Sequence, residues 1–391
     1  MHQQRPLRVL ALLEAATVTG PAKNLMEFVR RARRPEGALP AVDVAIATYL
    51  RGAAPEPNPF MRAAQEAGIA VAVIPERRRF DLGVLAQLRA LVDRHRPDIL
   101  QSHHCKSHFL VRLTGLGRTL PWVAFHHGYT AGDLKVRCYN QFDRISLPAA
   151  RHIVTVCGAF AAQIQRYGIP AQRISVLHNM VHPFRPPTPE SVSALRARYD
   201  LPENAAVVLA VGRLSREKGH VDLIEAAARL RRHHPDLPLR VVLVGEGPER
   251  AVIQARVAAQ GLDGAVVLCG HQADVAPFYA LATVVALPSH SEGSPNVLLE
   301  AMAAGIPVVA TAVGGVPEIA TDQVTALLVS QGNHQAMAEA LARLLREPEL
   351  ARRLARQAQA EVLARYTPEA YRRTLTQLYE RVLAGLAPSG P

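Results

Sequence analysis

Two runs of short apolar segments alternating with helical segments, broken once by prolines, limit this chain of 391 residues to a few architectures. In the first run the strand candidates are 7–13, 42–47, 71–75, 99–102, 122–126, 153–156 and 174–177, with helix candidates near 22–33, 58–67, 82–94 and 158–167. Strands that alternate with helices form parallel sheets covered on both faces. The break is Pro183–Pro189, PFRPPTP, four prolines in seven residues and therefore a stiff linker. The alternation then restarts, with strands expected at 207–211, 239–244, 265–268, 284–287 and 308–311 and helices near 220–233, 248–260, 274–280 and 296–304. Long amphipathic helices follow at 334–345, 348–364 and 368–386. The expectation is α/β, with two Rossmann-like halves.

Between Leu287 and Gly315 the chain reads PSHSEGSPNVLLEAMAAGIPVVATAVGG, with Glu292 and Glu300 eight positions apart. Glu292 lies in a Ser/Gly/Pro loop, and Glu300 among Val297, Leu298, Leu299, Met302 and Ala303. A carboxylate in such a run needs a partner, because burying it unpaired is costly. Ser294 or Asn296 is expected to cap a helix, Gly305 to end it and Pro307 to stop it. A helix N-terminus opening from small residues offers backbone N–H groups to phosphate. A carboxylate further along suits hydroxyls, so the segment fits a nucleotide sugar.

Three other stretches carry chemistry. In Val211-Gly-Arg-Leu-Ser-Arg-Glu-Lys-Gly219, the cations Arg213 and Lys218 lie five apart around a turn, within joint reach of a diphosphate. A solvated loop is the alternative for that stretch alone. Val244-Gly-Glu-Gly-Pro248 has GxG without the third glycine of a dinucleotide fingerprint, and tight-turn packing is its expected role. No GxGxxG with a suitably placed acid opens either half, which excludes a NAD-dependent dehydrogenase. His103-His-Cys-Lys106 and His126-His-Gly128 both follow strands.

Together VGRLSREKG, LVGEGPER, GHQADV and ALPSHSEGSPNVLLEAMAAGIPVVATAVGGVPEI resemble the retaining glycosyltransferases of the GT-B fold, in the group 1 family of bacterial-type glycogen synthases and phosphatidylinositol mannosyltransferases. The resemblance implies two Rossmann-like domains facing each other across a cleft. Residues 1–182 would bind the acceptor, 183–189 would link, 190–365 would bind the donor, and 366–391 would form a helix and tail packing back toward the N-terminal domain. It further implies transfer of a sugar to an acceptor hydroxyl by front-face attack, the leaving phosphate assisting deprotonation. Arg213 and Lys218 would hold the diphosphate, Glu292 the transferred sugar and Glu300 the ribose hydroxyls. Gly293, Ser294, Pro295 and Asn296 would meet sugar and phosphate, Val297 would lie beside the nucleotide, and Gly270, His271 and Val275 around the base. On the acceptor side the candidates are Gly20, Lys23, His103 and His126, with His127 as the histidine at the reaction centre and His126 as the second choice. Pro21, His182 and Ala326 depart from the family pattern at positions more often Gly, Asp and Gly. No metal and no cofactor are expected. The competing activities are a sugar-nucleotide epimerase of the same architecture and a non-catalytic nucleotide-sugar-binding module.

The charge is lopsided. Residues 1–190 hold 25 Lys and Arg against 13 Asp and Glu, while residues 191–391 hold 20 of each, so the whole net charge of +12 lies in the first half. That asymmetry fits an anionic membrane surface or a phosphorylated acceptor, and a generally basic solvated surface is the alternative. The basic triplet Arg77-Arg-Arg79 and the helix candidate 82–94 would carry the membrane contact. Nucleic acid is not expected, because the basic residues are not interleaved with aromatics. No apolar run reaches the roughly 18 residues of a membrane span. RPLRVLALLEAATVTG reads as a first strand and loop rather than a signal peptide, and the four cysteines have no CxxC spacing. The expected setting is therefore cytoplasmic, peripheral on the inner face of the cell membrane. The expected partners are a nucleotide sugar, UDP-sugar favoured over GDP-sugar, and a carbohydrate or lipid-linked acceptor in polysaccharide, lipopolysaccharide or glycolipid synthesis.

Overall fold

A computed structural model describes residues 5–52, 57–78, 81–129 and 134–385. The chain divides into two compact units, residues 1–179 with 368–391, and residues 180–367. Each is α/β, built on one wholly parallel sheet.

The first sheet holds β1 (Leu7–Leu13), β2 (Val42–Arg51), β3 (Val71–Glu76), β4 (Ile99–His103), β5 (Trp122–His126), β6 (His152–Thr155) and β7 (Ile174–Val176), in the order β3-β2-β1-β4-β5-β6-β7. The second holds β8 (Ala206–Val211), β9 (Leu239–Val244), β10 (Val266–Leu268), β11 (Val284–Leu287), β12 (Val308–Thr311) and β13 (Leu327–Val329), in the order β10-β9-β8-β11-β12-β13. Every residue of β4, β5, β11 and β12 is buried, as a strand covered on both faces requires. Side chains still divide by period two. Val208 and Ala210 enter one core, while Val207 and Leu209 enter the core on the opposite face.

In both sheets the strand order reverses at one place, between β1 and β4 and between β8 and β11. Successive crossovers leave such a point in opposite directions, so the carboxyl ends of those two strands frame a crevice. The loops that follow β8 and β11 carry the Arg213–Lys218 and Glu292 motifs.

The helix Pro368–Ala384 belongs to the first unit. Its Leu375, Leu378, Tyr379 and Val382 share a core with Leu25 and Phe28 of the helix Gly20–Ala32. The Phe28 ring meets Tyr379 edge-on at 6.0 Å. Arg372 pairs with Glu36 and with the Arg34 carbonyl.

Local details differ from the reading of the sequence. Pro189 opens the helix Pro189–Arg198 instead of closing the linker, because Thr188 caps it by accepting from Ser191 N. The helices His104–Thr114 and Leu134–Ser146 and the strand β13 were not anticipated. Arg79 lies outside the described residues. Among the described residues no helix is long and apolar enough to cross a membrane.

Candidate functional site

In the second unit the loops after β8 and β11 are locked together. Gly219 has φ +62°, and a Cβ there would lie 2.1 Å from the Pro288 carbonyl oxygen. His290 N donates to the Glu217 carbonyl at 2.8 Å, and the His290 ring bonds Asp222 at 2.6 Å. A second close approach joins the loops after β8 and β9. A Cβ at Gly245 would sit 1.8 Å from the Gly212 oxygen, and one at Gly247 would sit 2.2 Å from that of Leu214. The glycines of VGEGP therefore pack two backbones together.

These approaches set the ionic pair at the centre. Lys218 Nζ donates to both oxygens of Glu292, at 2.8 and 3.0 Å, and Ser289 Oγ donates to Oε1 at 2.6 Å. Glu292 is 6% exposed while Lys218 keeps 29%. The Glu292 carbonyl is pinned as well, accepting from Gly315 N at 3.2 Å, with Gly314 so close that a Cβ would stand 1.7 Å away. Thr311 Oγ1 donates to the Ser289 carbonyl.

Glu300 lies on the helix Asn296–Ala303 and accepts from the Tyr279 hydroxyl at 2.9 Å. Pro295, between the two expected caps, occupies the capping position, and its own side chain makes no cap hydrogen bond. Gly305 ends the helix as anticipated, at φ +69°. Arg213 and His271 are exposed, while Gly270, Gly293, Asn296, Val297 and Val275 are half-buried and Ser294 and Pro295 buried. A Cβ at Gly270 would lie 3.0 Å from Glu246 Oε1, so the loops after β9 and β10 also meet.

In the first unit β4 and β5 end in histidines. His103 and His126 are each 3% exposed, whereas His127, one residue past β5, is half-buried. His126 Nδ1 bonds Asp143 Oδ2 at 3.2 Å and His108 Nδ1 bonds Oδ1 at 2.5 Å, so Asp143 orients two imidazoles. Burial alone would raise the Asp143 pKa, but His108 and His126 hold it well below the carboxylate range. His127 Nε2 lies 3.1 Å from His103 Nδ1, and burial with the neighbouring histidines keeps both rings well below the ordinary imidazole value. His104, at φ +68°, is lowered to about 4 by burial. Gly20 opens its helix, with Pro21 in the first turn where a missing N–H costs nothing, and Lys23 is exposed. Among the described residues no group of three or more His, Cys, Asp or Glu is set to hold a metal ion.

Residues 191–361 match the family Glycosyl transferases group 1, and residues 28–185 match Glycosyltransferase Family 4. A D-inositol 3-phosphate glycosyltransferase of Frankia alni is 31% identical over 281 residues, 66% of this chain and 68% of that protein. The chain belongs to the group 1 glycosyl transferases. Family relatives differ in how much of them is matched. The enzyme of the same name from Corynebacterium urealyticum is 35% identical, but only 51% of its length is covered. An N-acetyl-alpha-D-glucosaminyl L-malate synthase of Bacillus anthracis is 24% identical over 74% of this chain and 76% of its own. Among solved structures, Anabaena HepE in complex with UDP superposes with a TM-score of 0.81 at 19% identity, over 96% of this chain and 100% of that one. That likeness bears on the fold, which is GT-B.

The structure thus brings Lys218 together with Glu292, and His103 together with His127, and keeps Glu300 on a separate partner. Four supporting residues escaped the sequence reading. Ser289, three residues before Glu292, was within local reach. Tyr279 and Asp143 act from 21 and 17 residues away on other elements, whereas Gln101 sits two residues before His103 on the same strand.

Proposed function

We propose that this group 1 family member is a retaining glycosyltransferase. It moves a sugar from a nucleoside diphosphate, UDP favoured over GDP, to the hydroxyl of a carbohydrate or lipid-linked acceptor in polysaccharide, lipopolysaccharide or glycolipid synthesis. The observation that carries this reading is the Lys218–Glu292 pair at the β8/β11 reversal, with Arg213 exposed on the same loop as Lys218 and Glu300 on the next helix. Donor binding exchanges the Lys218–Glu292 contact for two others, the diphosphate on Lys218 and a sugar hydroxyl on Glu292. Arg213 and Lys218 neutralise the leaving diphosphate, and the proposal includes no metal and no cofactor. Gly293 through Val297 line sugar and phosphate, with the helix start at Asn296 lending its N–H groups. Gly270, His271 and Val275 border the base. Support for the donor comes from Anabaena HepE, solved with UDP and with UDP-glucose. Support for the acceptor class comes from a lipopolysaccharide core biosynthesis glycosyltransferase of Rhizobium meliloti, 34% identical over 49% of this chain. In the first unit the acceptor side is assigned to His127, with His126, His103, Gly20 and Lys23 around it.

Thermal shift tests the donor assignment, since a ligand held at a hundred times its Kd stabilises the native state by about 2.7 kcal/mol. UDP is expected to raise the melting temperature of the wild type. Glu300→Ala should weaken nucleotide affinity by about ten- to a hundredfold, through the loss of a charged hydrogen bond worth about 1.5–3 kcal/mol. No shift with any nucleoside diphosphate would overturn the function, and unchanged affinity in Glu300→Ala would remove that residue from the site.

A peripheral membrane location on the cytoplasmic face is part of the proposal, supported by the charge excess of residues 1–190. Each basic residue near an anionic surface contributes about 1 kcal/mol. Sedimentation with anionic vesicles should therefore carry the protein down where neutral vesicles do not. Equal partitioning would overturn electrostatic docking.

A further inference from the structure

A single hydrogen-bonded chain runs from the helix Pro368–Ala384 to the half-buried histidine of the first unit. The Tyr379 hydroxyl bonds Gln101 Oε1, Gln101 Nε2 lies 2.7 Å from His103 Nε2, and His103 Nδ1 lies 3.1 Å from His127 Nε2. Tyr379 is 0% exposed, Gln101 1% and His103 3%.

The direction of this chain follows from proton bookkeeping. A buried hydroxyl must place its proton on an acceptor. Among the described residues the partner of the Tyr379 hydroxyl is Gln101, so its O–H donates to the amide oxygen. The amide nitrogen then faces His103 and, having only protons to give, makes His103 Nε2 an acceptor. His103 is neutral, so its one proton sits on Nδ1 and is donated to His127 Nε2. His127 is neutral too, which leaves its proton on Nδ1. Reversing every bond would give each imidazole a legal partner but would strand the Tyr379 proton in the core.

We propose that Tyr379 and Gln101 are positioning residues that fix His127 as the Nδ1–H tautomer, so that this ring presents a hydrogen-bond donor, not an acceptor, to the ligand. Among the described residues that nitrogen makes no hydrogen bond, and His127 is half-buried, so it is open to a ligand oxygen. The ligand chemistry it selects is an oxygen bearing free lone pairs, as on a sugar or acceptor hydroxyl. The identity of that ligand rests on the proposed glycosyl transfer, whereas the tautomer does not. A neutral imidazole in water leans toward the Nε2–H form, so the chain holds His127 against its intrinsic preference.

The test is nitrogen NMR on the full chain labelled with 15N-histidine, the His127 signals being assigned by their loss in His127→Asn. In the wild type, Nδ1 of His127 should show the shift of a protonated nitrogen and Nε2 that of an unprotonated one. Tyr379→Phe keeps the ring against Phe28 but frees the Gln101 amide to turn, and the two His127 shifts should converge or exchange. Tyr371→Phe is the control, because its ring also meets Phe28, at 6.5 Å, yet its hydroxyl lies outside the chain. It should leave the His127 pattern as in the wild type. With donor and acceptor supplied, Tyr379→Phe should lower kcat severalfold at unchanged donor KM. An Nε2–H pattern in the wild type, or an unchanged Nδ1–H pattern in Tyr379→Phe, would overturn the proposal. Absence of transferase activity in the wild type would sink the functional reading and leave the tautomer result standing.

Discussion

Lys218→Ala should lower turnover at least about a hundredfold, measured as release of nucleoside diphosphate from the donor sugar. Its ammonium is one of two cations assigned to the leaving group, and preorganised charge in a site closed to water is worth more than the same charge in solution. The substitution also strands Glu292, which is 6% exposed and would keep only Ser289 as a side-chain partner among those described. Removing one member of a buried pair costs about 3–5 kcal/mol, and the low end applies because Lys218 retains 29% exposure. The two effects separate in the double variant Lys218→Ala/Glu292→Gln. Removing the uncompensated charge should recover most of the melting temperature while turnover stays low. Wild-type turnover in Lys218→Ala would show that the cation does not serve the diphosphate.

The second large effect is expected at Asp143→Ala, a loss of about 3–5 kcal/mol in the first unit. Asp143 is 1% exposed and is the shared acceptor of His108 and His126, themselves 1% and 3% exposed. Its charge also helps push up the pKa values of Cys105 and Tyr129, after burial. Truncation leaves the Nδ1 atoms of His108 and His126 without their shared acceptor. The reporter is built in, because Trp122 is the only tryptophan, is fully buried and donates to Ser102 in the same unit. Its fluorescence follows the first unit alone, which avoids treating a two-unit chain as one transition.

The pH dependence has a definite sign. The folded pKa of Asp143 lies below the unfolded value of about 3.9, so the unfolded state binds the proton more tightly. The stabilisation is fully present at neutral pH and is lost as pH falls through the unfolded value toward the folded one. Asp143→Ala should flatten that part of the acid profile. A variant whose Trp122 transition matches the wild type at pH 7 would remove Asp143 as the organiser of the cluster.

Much of this could be read from residue order, for physical reasons that also explain the gaps. Parallel strands buried on both faces are continuous apolar runs, so 284–287 and 308–311 stand out and coincide with β11 and β12. β13 lies in an apolar run of the same length, Ala326–Val329, so its shortness does not explain why it was passed over. The helix His104–Thr114 opens on a histidine at positive φ without a side-chain cap, and Leu134–Ser146 mixes polar and apolar residues, so the first lacks the usual start and the second a continuous apolar run. The Glu292 loop was legible because small residues and prolines cluster where backbones approach closely. That Glu292 faces Lys218 was not, since the pair spans 74 positions and depends on the crossing of two loops. The same holds for Asp143, which reaches His126 from another element, and for Tyr379, which reaches Gln101 from another.

The helix Pro368–Ala384 has a consequence for the order in which this protein is made. The first sheet is complete in sequence by Val176, yet the core over Phe28 stays open until Leu375, Leu378 and Tyr379 have been synthesised. The whole of residues 180–367 emerges from the ribosome in between, and can fold as an uninterrupted stretch. The earlier-made unit is therefore the later one to finish. For that interval it exposes an apolar face to chaperones and to neighbouring nascent chains, a cost of placing a closing piece at the far end of the message.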